Sequence, residues 1–165
     1  MKRGLEEIEE VLAKVVSTGK NFIVLETKSG KKIKRTGGTL SWRNNNPGNI
    51  KFGPFAKANG SIGAGAGNHA VFPTYMIGKQ AVYNLLFTSQ RKYSTMPLKS
   101  VIAMYAPVDD PNANNDPKKY TNYLVSSVGV PEYKVLNTFS EEEKQKLVDA
   151  IIYYEGYKQG STTFV

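Results

Sequence analysis

The sequence predicts a mainly α domain of the α+β type, with one small β-hairpin near its N-terminal side. Two observations predict this class. In the second half of the chain, apolar residues recur every three or four positions, the spacing of one helix face. Alternation of apolar and polar residues, typical of a strand, marks only one early stretch, NFIVLETKSGKKIKRT. With 165 residues, of which 40% are hydrophobic and 22% charged, the chain can build a core of its own.

Residues 1–39 are more charged than the rest, and we interpret them as an accessory or linker element before a main domain at residues 40–165. A short amphipathic helix is predicted over residues 4–17, where Leu5, Ile8, Leu12 and Val15 follow helical spacing. The hairpin comes next, with Ser29-Gly30 as its turn. Its basic residues indicate a solvated face, with anion binding as the alternative: Lys28, Lys31, Lys32, Lys34 and Arg35.

Four helices are predicted after residue 75. Asp116-Pro117 opens the third as cap and first-turn proline, and Ser140 with Glu143 opens the fourth as a capping box. The apolar positions that mark the first three are Ala81, Val82, Leu85 and Leu86; Val101, Ile102 and Tyr105; and Tyr120, Leu124 and Val128.

The stretch SWRNNNPGNIKFG, residues 41–53, holds four asparagines within six positions. Asparagine competes for its own backbone hydrogen bonds, so this composition favours a turn over a helix or a core strand. A Gly/Ala-rich loop, ANGSIGAGAGN, follows, and HAVFPTY then predicts a short strand. By itself the amide-rich stretch is compatible with an ordinary polar turn.

Glu155 stands out in the last helix. The apolar stripe of Leu147, Val148, Ile151 and Ile152 continues onto Glu155 at the same spacing, just before Gly156, a plausible C-cap. Burial and the negative end of the helix dipole both raise the pKa of a carboxyl group. A carboxylic acid that stays protonated near neutral pH is suited to general acid catalysis. Alternatively, Glu155 turns into solvent at a frayed helix end.

The composition excludes several classes of site. The chain has no cysteine and one histidine, His69, so disulfides, thiol nucleophiles and multi-histidine metal sites are excluded, and no metal or cofactor is expected. A net charge of +8 favours a polyanionic partner such as nucleic acid, an anionic membrane or a cell wall. No apolar run reaches the ~18 residues of a membrane span, and the start MKRGLEEIEEVLAK does not resemble a signal peptide.

Two stretches together resemble lysozyme-like peptidoglycan hydrolases of the flagellar-rod muramidase and glucosaminidase type. These are NNPGNIKFG with the following VFPTY and AVYNLLF, and MYAP with NDPKKYTNYL, which is also similar to lytic transglycosylases. The RNNNPGN form resembles a group of muramidase-like domains from phage virions and secreted effectors. In these families the catalytic glutamate precedes the asparagine-rich segment, whereas here the matching element, AIIYYEGY, is C-terminal. The resemblance covers roughly residues 42–156 and implies a lysozyme-like, circularly permuted catalytic domain, which domain termini lying close together would permit.

The resemblance implies a glycosidase, muramidase or lytic transglycosylase, that cleaves the MurNAc-GlcNAc β-1,4 bond of peptidoglycan with Glu155 as general acid. It implies that the asparagine-rich turn lies beside the cleft and either positions the acid helix or binds substrate. A hydrolase would need a second carboxylate, for which Asp109, Asp110 and Asp116 are candidates. Asn44 belongs to this turn, and substrate contacts are expected from Arg43, Asn45, Asn46, Asn49 and Lys51, and from Tyr75, Tyr105 and Tyr120.

Without an export signal, such an enzyme would reach the periplasm or cell wall as part of a phage virion, through a holin or through an injection apparatus. Two other functions stay open. One is a lysozyme-like domain that binds the wall without cutting it. The other is a nucleic-acid-binding module built on the basic hairpin, which we favour least because no known nucleic-acid-binding motif is visible.

Overall fold

The computed structural model describes residues 10–88, 93–105 and 116–165, with the backbone alone for residues 104 and 105. The chain divides into two compact units. Unit 1 comprises residues 1–81 and 155–165, and unit 2 comprises residues 82–154. The described residues of the N-terminal segment and the C-terminal residues 155–165 therefore belong to the same unit.

Unit 1 is built on a four-stranded antiparallel sheet. Its strands are β1 (Leu12–Gly19), β2 (Phe22–Thr27), β3 (Lys32–Thr36) and β6 (Ser161–Phe164), in the order β1-β2-β3-β6. The predicted hairpin is β2 and β3, and Gly30 in its turn has a left-handed φ of 89°. The C-terminal strand β6 pairs with β3, so it extends the hairpin into a larger sheet.

The helix predicted over residues 4–17 is wrong where the structure describes it, because residues 12–17 belong to β1; residues 1–9 lie outside the described part. The ladder with β2 is interrupted between Leu12 and Lys14. A bulge inserts one extra residue into a strand, so Leu12 and Val15 lie on one face although they are three positions apart. The bulged strand thus imitates the spacing of a helix.

One face of the sheet is apolar. Residues that pair across neighbouring strands of an antiparallel sheet share a face, which places Leu12, Ile23, Leu25 and Ile33 together. They form a buried cluster with Val71, and Val15 and Ile62 pack against it. Burying these side chains is the main stabilising contribution to this part of unit 1.

The rest of unit 1 consists of short elements. They are α1 (Leu40–Arg43), α2 (Pro54–Ala58), β4 (Gly63–Ala64), β5 (Ala70–Val71) and the start of α3 (Tyr75–Phe87). The strand predicted in HAVFPTY is β5, which pairs with β4 in the Gly-rich segment.

Unit 2 is helical in its described residues. It contains the remainder of α3, α4 (Leu98–Tyr105), α5 (Pro117–Val128) and α6 (Glu141–Glu155) up to Tyr154. Both predicted N-termini are confirmed: Asp116 accepts from the backbone of Lys118 and Lys119, and Ser140 and Glu143 form a reciprocal capping box. The fully buried side chains of this unit include Leu86, Leu98, Ile102, Tyr120, Leu124, Leu136, Leu147 and Ile151.

The predicted fold class needs correction. Helices make up 46% and strands 22% of the described residues, so the protein is an α+β mixture with a four-stranded sheet, and not a mainly α domain with one hairpin. The C-terminal strand β6 also joins the sheet of the N-terminal segment, and the predicted domain boundary at residues 39 and 40 stays a prediction. The accessory role of residues 1–39 stays a prediction.

Candidate active site

Glu155 is the last residue of α6, and Gly156 follows it with a left-handed φ of 87°, as the sequence predicted for a C-cap. The Glu155 side chain is partly buried, between the full burial that the stripe predicted and the solvent exposure of a frayed end. The partly buried carboxylate lies in unit 1 together with the asparagine-rich stretch.

Asn49 contacts this carboxylate directly. Its Nδ2 donates a hydrogen bond to Oε1 of Glu155 across 3.4 Å. Its Oδ1 is buried and has no hydrogen-bond partner. The Asn49 backbone has a left-handed φ of 51°, which asparagine tolerates better than most residues. The residue type therefore serves both the turn and the contact with Glu155.

Asn46 fixes the turn that presents Asn49. Its Oδ1 accepts from the backbone N–H of Ile50 at 3.0 Å, and its Nδ2 donates to the carbonyls of Ile50 at 2.8 Å and Ala70 at 3.0 Å. The side chain is fully buried and links the backbone of Ile50 to the backbone of β5 by hydrogen bonds. Its geometry supports a positioning role and not direct contact with a substrate.

Asn45 is also part of the scaffold. Its Nδ2 donates to the carbonyl oxygens of Phe72 and Pro73, and its Oδ1 accepts from Arg35 at 2.9 Å. Arg35 also donates to the Trp42 carbonyl and lies over the Trp42 ring. Arg35, expected on a solvated face, instead ties the sheet to the asparagine-rich stretch.

Asn44 is the exception among the three consecutive asparagines. Both polar atoms of its side chain are buried without a hydrogen-bond partner. A Cβ on Gly65 would lie 2.7 Å from its Oδ1, so the Gly-rich segment approaches the amide as only glycine can.

The segment after Glu155 is held against the start of the asparagine-rich stretch. Ser41 Oγ donates to the Gly156 carbonyl at 2.6 Å. Two hydrogen bonds join Thr39 and Lys158: the Thr39 N–H donates to the Lys158 carbonyl, and the Lys158 N–H donates to the side-chain Oγ1 of Thr39, each at 2.9 Å. These bonds fix the end of α6 beside α1.

The two basic residues of the predicted site differ in exposure. Arg43 is buried and donates to the carbonyls of Gly37 at 2.8 Å and Gly38 at 3.2 Å, and burial lowers its pKa. Its contacts are those of a structural residue. Lys51 is exposed, and its Nζ donates to the Gly67 carbonyl at 3.0 Å. Lys51 therefore lies at the surface of the loop that carries Asn49.

Within unit 1, one of the three predicted tyrosines contacts the segment that follows Glu155. Tyr75, at the start of α3, packs edge-to-face on Tyr157 with ring centroids 4.9 Å apart. Tyr120 lies in unit 2, where it is fully buried and stacked on Tyr154. The side chain of Tyr105 lies outside the described part.

Three residues of this site were not predicted from the sequence: Thr39, Ser41 and Tyr157. Each owes its place to a partner more than 80 positions away in the chain. Tyr157 had one available signal, its position two residues after Glu155. Hydroxyl residues before a turn are common, so the sequence gave no signal that Thr39 and Ser41 belong to the site.

Acidic residues are scarce in the described part of unit 1. Besides Glu155 they are Glu10 and Glu26, and Glu26 lies in β2. Asp109 and Asp110 lie outside the described residues, and Asp116 is occupied as the cap of α5. Within residues 10–88, 93–105 and 116–165 there is no cluster of three acidic or histidine side chains that could hold a metal ion.

Neither a comparison with models of known protein families nor a search among curated proteins finds a match to this chain. None of the helices in the described ranges is long and apolar enough to cross a membrane.

Proposed function

We propose that this protein is a glycosidase that cleaves the MurNAc-GlcNAc β-1,4 bond of peptidoglycan, with Glu155 as its general acid. The observation that supports this proposal is the hydrogen bond between Asn49 and Glu155, two residues 106 positions apart. The resemblance requires the acid-bearing helix end and the asparagine-rich turn to lie side by side. Their order along the chain gives no reason for them to meet, yet β6, Ser41 and Thr39 all hold them together.

Glu155 would donate a proton to the leaving glycosidic oxygen as the sugar acquires oxocarbenium character. Asn49 is suited to assist both protonation states of this carboxyl group. Its Nδ2 donates to the carboxylate, and a half-turn of the amide would offer Oδ1 as acceptor to the protonated acid. Oδ1 has no other partner, so the half-turn breaks no second hydrogen bond of that oxygen.

The second half of the reaction distinguishes two kinds of enzyme. A hydrolase needs a second carboxylate. In a lytic transglycosylase one carboxyl group donates the proton to the leaving oxygen and then, as a base, takes the proton of the muramic 6-hydroxyl, whose oxygen closes an anhydro ring. The scarcity of acidic residues in the described part of unit 1 supports the one-carboxylate reaction. We therefore favour a lytic transglycosylase.

Tyr75 and Tyr157 are suited to line the sugar-binding groove. Their edge-to-face packing fixes both rings, and each is only partly buried. An aromatic ring held in place loses little conformational entropy when a sugar packs on it.

In this proposal the enzyme reaches the wall by delivery with a virion, through a holin or through an injection apparatus.

Dye release from labelled peptidoglycan tests the proposal. The wild type should release soluble fragments, and Glu155→Gln, which keeps the shape but cannot donate the proton, should lose about a hundredfold or more of the rate. Glu142→Gln, an exposed glutamate of the same helix, is the matched control and should keep full activity. Equal activity in the wild type and Glu155→Gln would contradict the proposal.

A further inference from the structure

The net positive charge of the protein resides in one of its two units. Unit 1 contains 14 of the Lys and Arg residues against 6 Asp and Glu, whereas unit 2 contains 8 of each. The net charge of +8 thus resides in unit 1. Most of it comes from a short part of the sheet, since residues 14–35 hold seven basic residues and a single acidic one, Glu26.

The strand register places three of these lysines on one face. Lys14 and Lys32 both pair with Glu26, and Lys34 pairs with Val24, so all three lie on the side opposite the apolar cluster. We call the surface of Lys14, Lys32 and Lys34 the basic face. Glu26 offsets one of its charges. Hydroxyl side chains complete the face, at positions Ser17, Thr36, Ser161 and Thr163.

We propose that the basic face binds a linear polyanion with phosphodiester groups, of the kind attached to bacterial cell walls. Lys14 and Lys32 flank β2, so their backbones are roughly 10 Å apart across two strand spacings. Lysine ammonium groups act as point charges, and hydroxyls beside them can bond phosphate oxygens or sugar hydroxyls. Such a surface attracts a polymer with repeated negative charges without reading its sequence.

The same face is poorly suited to nucleic acid. Its aromatic residue, Phe22, is partly buried and covered by Lys34, whose Nζ lies 4.7 Å from the ring centroid, so the ring is not free to stack on bases. Arg35 pairs with Ile23 on the opposite, apolar face, where it bonds to Trp42 and Asn45. The choice of a wall polymer over nucleic acid rests also on the proposed function.

Binding to purified cell walls tests this inference. The protein would carry Glu155→Gln to prevent digestion, and binding would be compared on walls that carry phosphodiester polymers and on walls stripped of them by acid. Replacing Lys14, Lys32 and Lys34 by Gln should weaken binding to the intact walls roughly tenfold or more. The difference in binding between this variant and the protein with the three lysines should disappear on stripped walls and become smaller at high salt.

The control replaces three exposed lysines of unit 2, Lys99, Lys118 and Lys119, by Gln, which removes the same charge and should change binding less than about twofold. A second variant with Arg at the three positions of the basic face should keep binding and shows that the fold is intact. Equal losses in the two Gln variants would overturn the inference. Binding to duplex DNA would be measured in parallel. A loss of binding that the Gln variant of the basic face shows only with DNA, and not with walls, would also overturn the inference and make the face a nucleic-acid surface. Absence of fragment release by the wild type would instead contradict the proposed function, while the binding result would stand.

Discussion

The side-chain amide of Asn49 donates to Oε1 of Glu155 across 3.4 Å, and so joins the asparagine-rich turn to the last residue of α6. Asn46 holds the turn, and Ser41 holds the helix end. The contact between Asn49 and Glu155 is therefore supported from both sides. Each of these supports can be removed by a single substitution.

Removing the Asn49 amide should lower the rate of bond cleavage. A hydrogen bond to a charged group contributes about 1.5–3 kcal/mol at ordinary length, and less at 3.4 Å, so Asn49→Gly should lose roughly threefold to tenfold in kcat, with a smaller change in KM. Glycine is chosen because it adopts the left-handed φ of 51° without strain. Asn49→Ala is the comparison: it also removes the amide but adds strain, so its stability should be lower. Full kcat in Asn49→Gly would show that Asn49 does not act through Glu155.

Removing the Ser41 hydroxyl should destabilise unit 1. Ser41→Ala leaves the Gly156 carbonyl without its 2.6 Å donor, and the loss of one such buried hydrogen bond is about 1 kcal/mol in the free energy of unfolding. Urea unfolding measures it, with the exposed Ser17→Ala as control. An unchanged midpoint in Ser41→Ala would mean that the contact contributes nothing to stability.

Gly78→Ala should destabilise the protein although alanine is the better helix former. A Cβ at position 78 would clash with the Asn45 carbonyl oxygen and lie 2.9 Å from Cδ of Pro47, so α3 or the turn must shift. Because the nearest atom belongs to the backbone, the clash should cost about 2–3 kcal/mol, which exceeds the helix-propensity gain of about 1 kcal/mol. Gly53→Ala, whose Cβ meets open space, should lose less, since its only cost is the poorer N-cap of α2. A more stable Gly78→Ala variant would contradict this packing.

The capping box of α6 should make stability depend on pH. Hydrogen bonding from the Ser140 backbone and the Lys134 ammonium lower the pKa of Glu143 below its ordinary value of 4.5. Between the lowered pKa and the ordinary value, the folded state therefore binds fewer protons than the unfolded state. The contribution of Glu143 to the free energy of unfolding is thus present at neutral pH. It is lost as the pH falls through the lowered pKa. Thermal unfolding of wild type and Glu143→Gln should thus differ at pH 7 and converge in acid, with Glu142→Gln as control; a difference that persists in acid would exclude this mechanism.

The sequence predicted the elements that depend on near neighbours. The hairpin, the described helices after residue 75 and the caps at Asp116 and Ser140 all follow from local spacing. It missed β1, because a bulge imitates helical spacing, and β6, because four exposed residues carry no apolar pattern. Both errors made the sheet too small.

The candidate site was predicted in part. Glu155 stood out because it interrupts an apolar stripe, and asparagine in a turn is a local signal. Which amide faces the carboxylate is decided by tertiary contacts: Asn45 and Asn46 bond to backbone groups, and Asn49 reaches Glu155. Local sequence could not distinguish these asparagines, because all three occupy the same turn.

Mass spectrometry of the fragments released from purified peptidoglycan by the wild type and by Glu155→Gln tests the central claim most directly. Our account predicts 1,6-anhydromuramyl ends from the wild type and their loss in Glu155→Gln, with full release by Glu142→Gln. Reducing muramic ends would keep Glu155 as the acid but replace the transglycosylase by a hydrolase with a second carboxylate. The same fragments in equal amounts from the wild type and Glu155→Gln would contradict the role of Glu155.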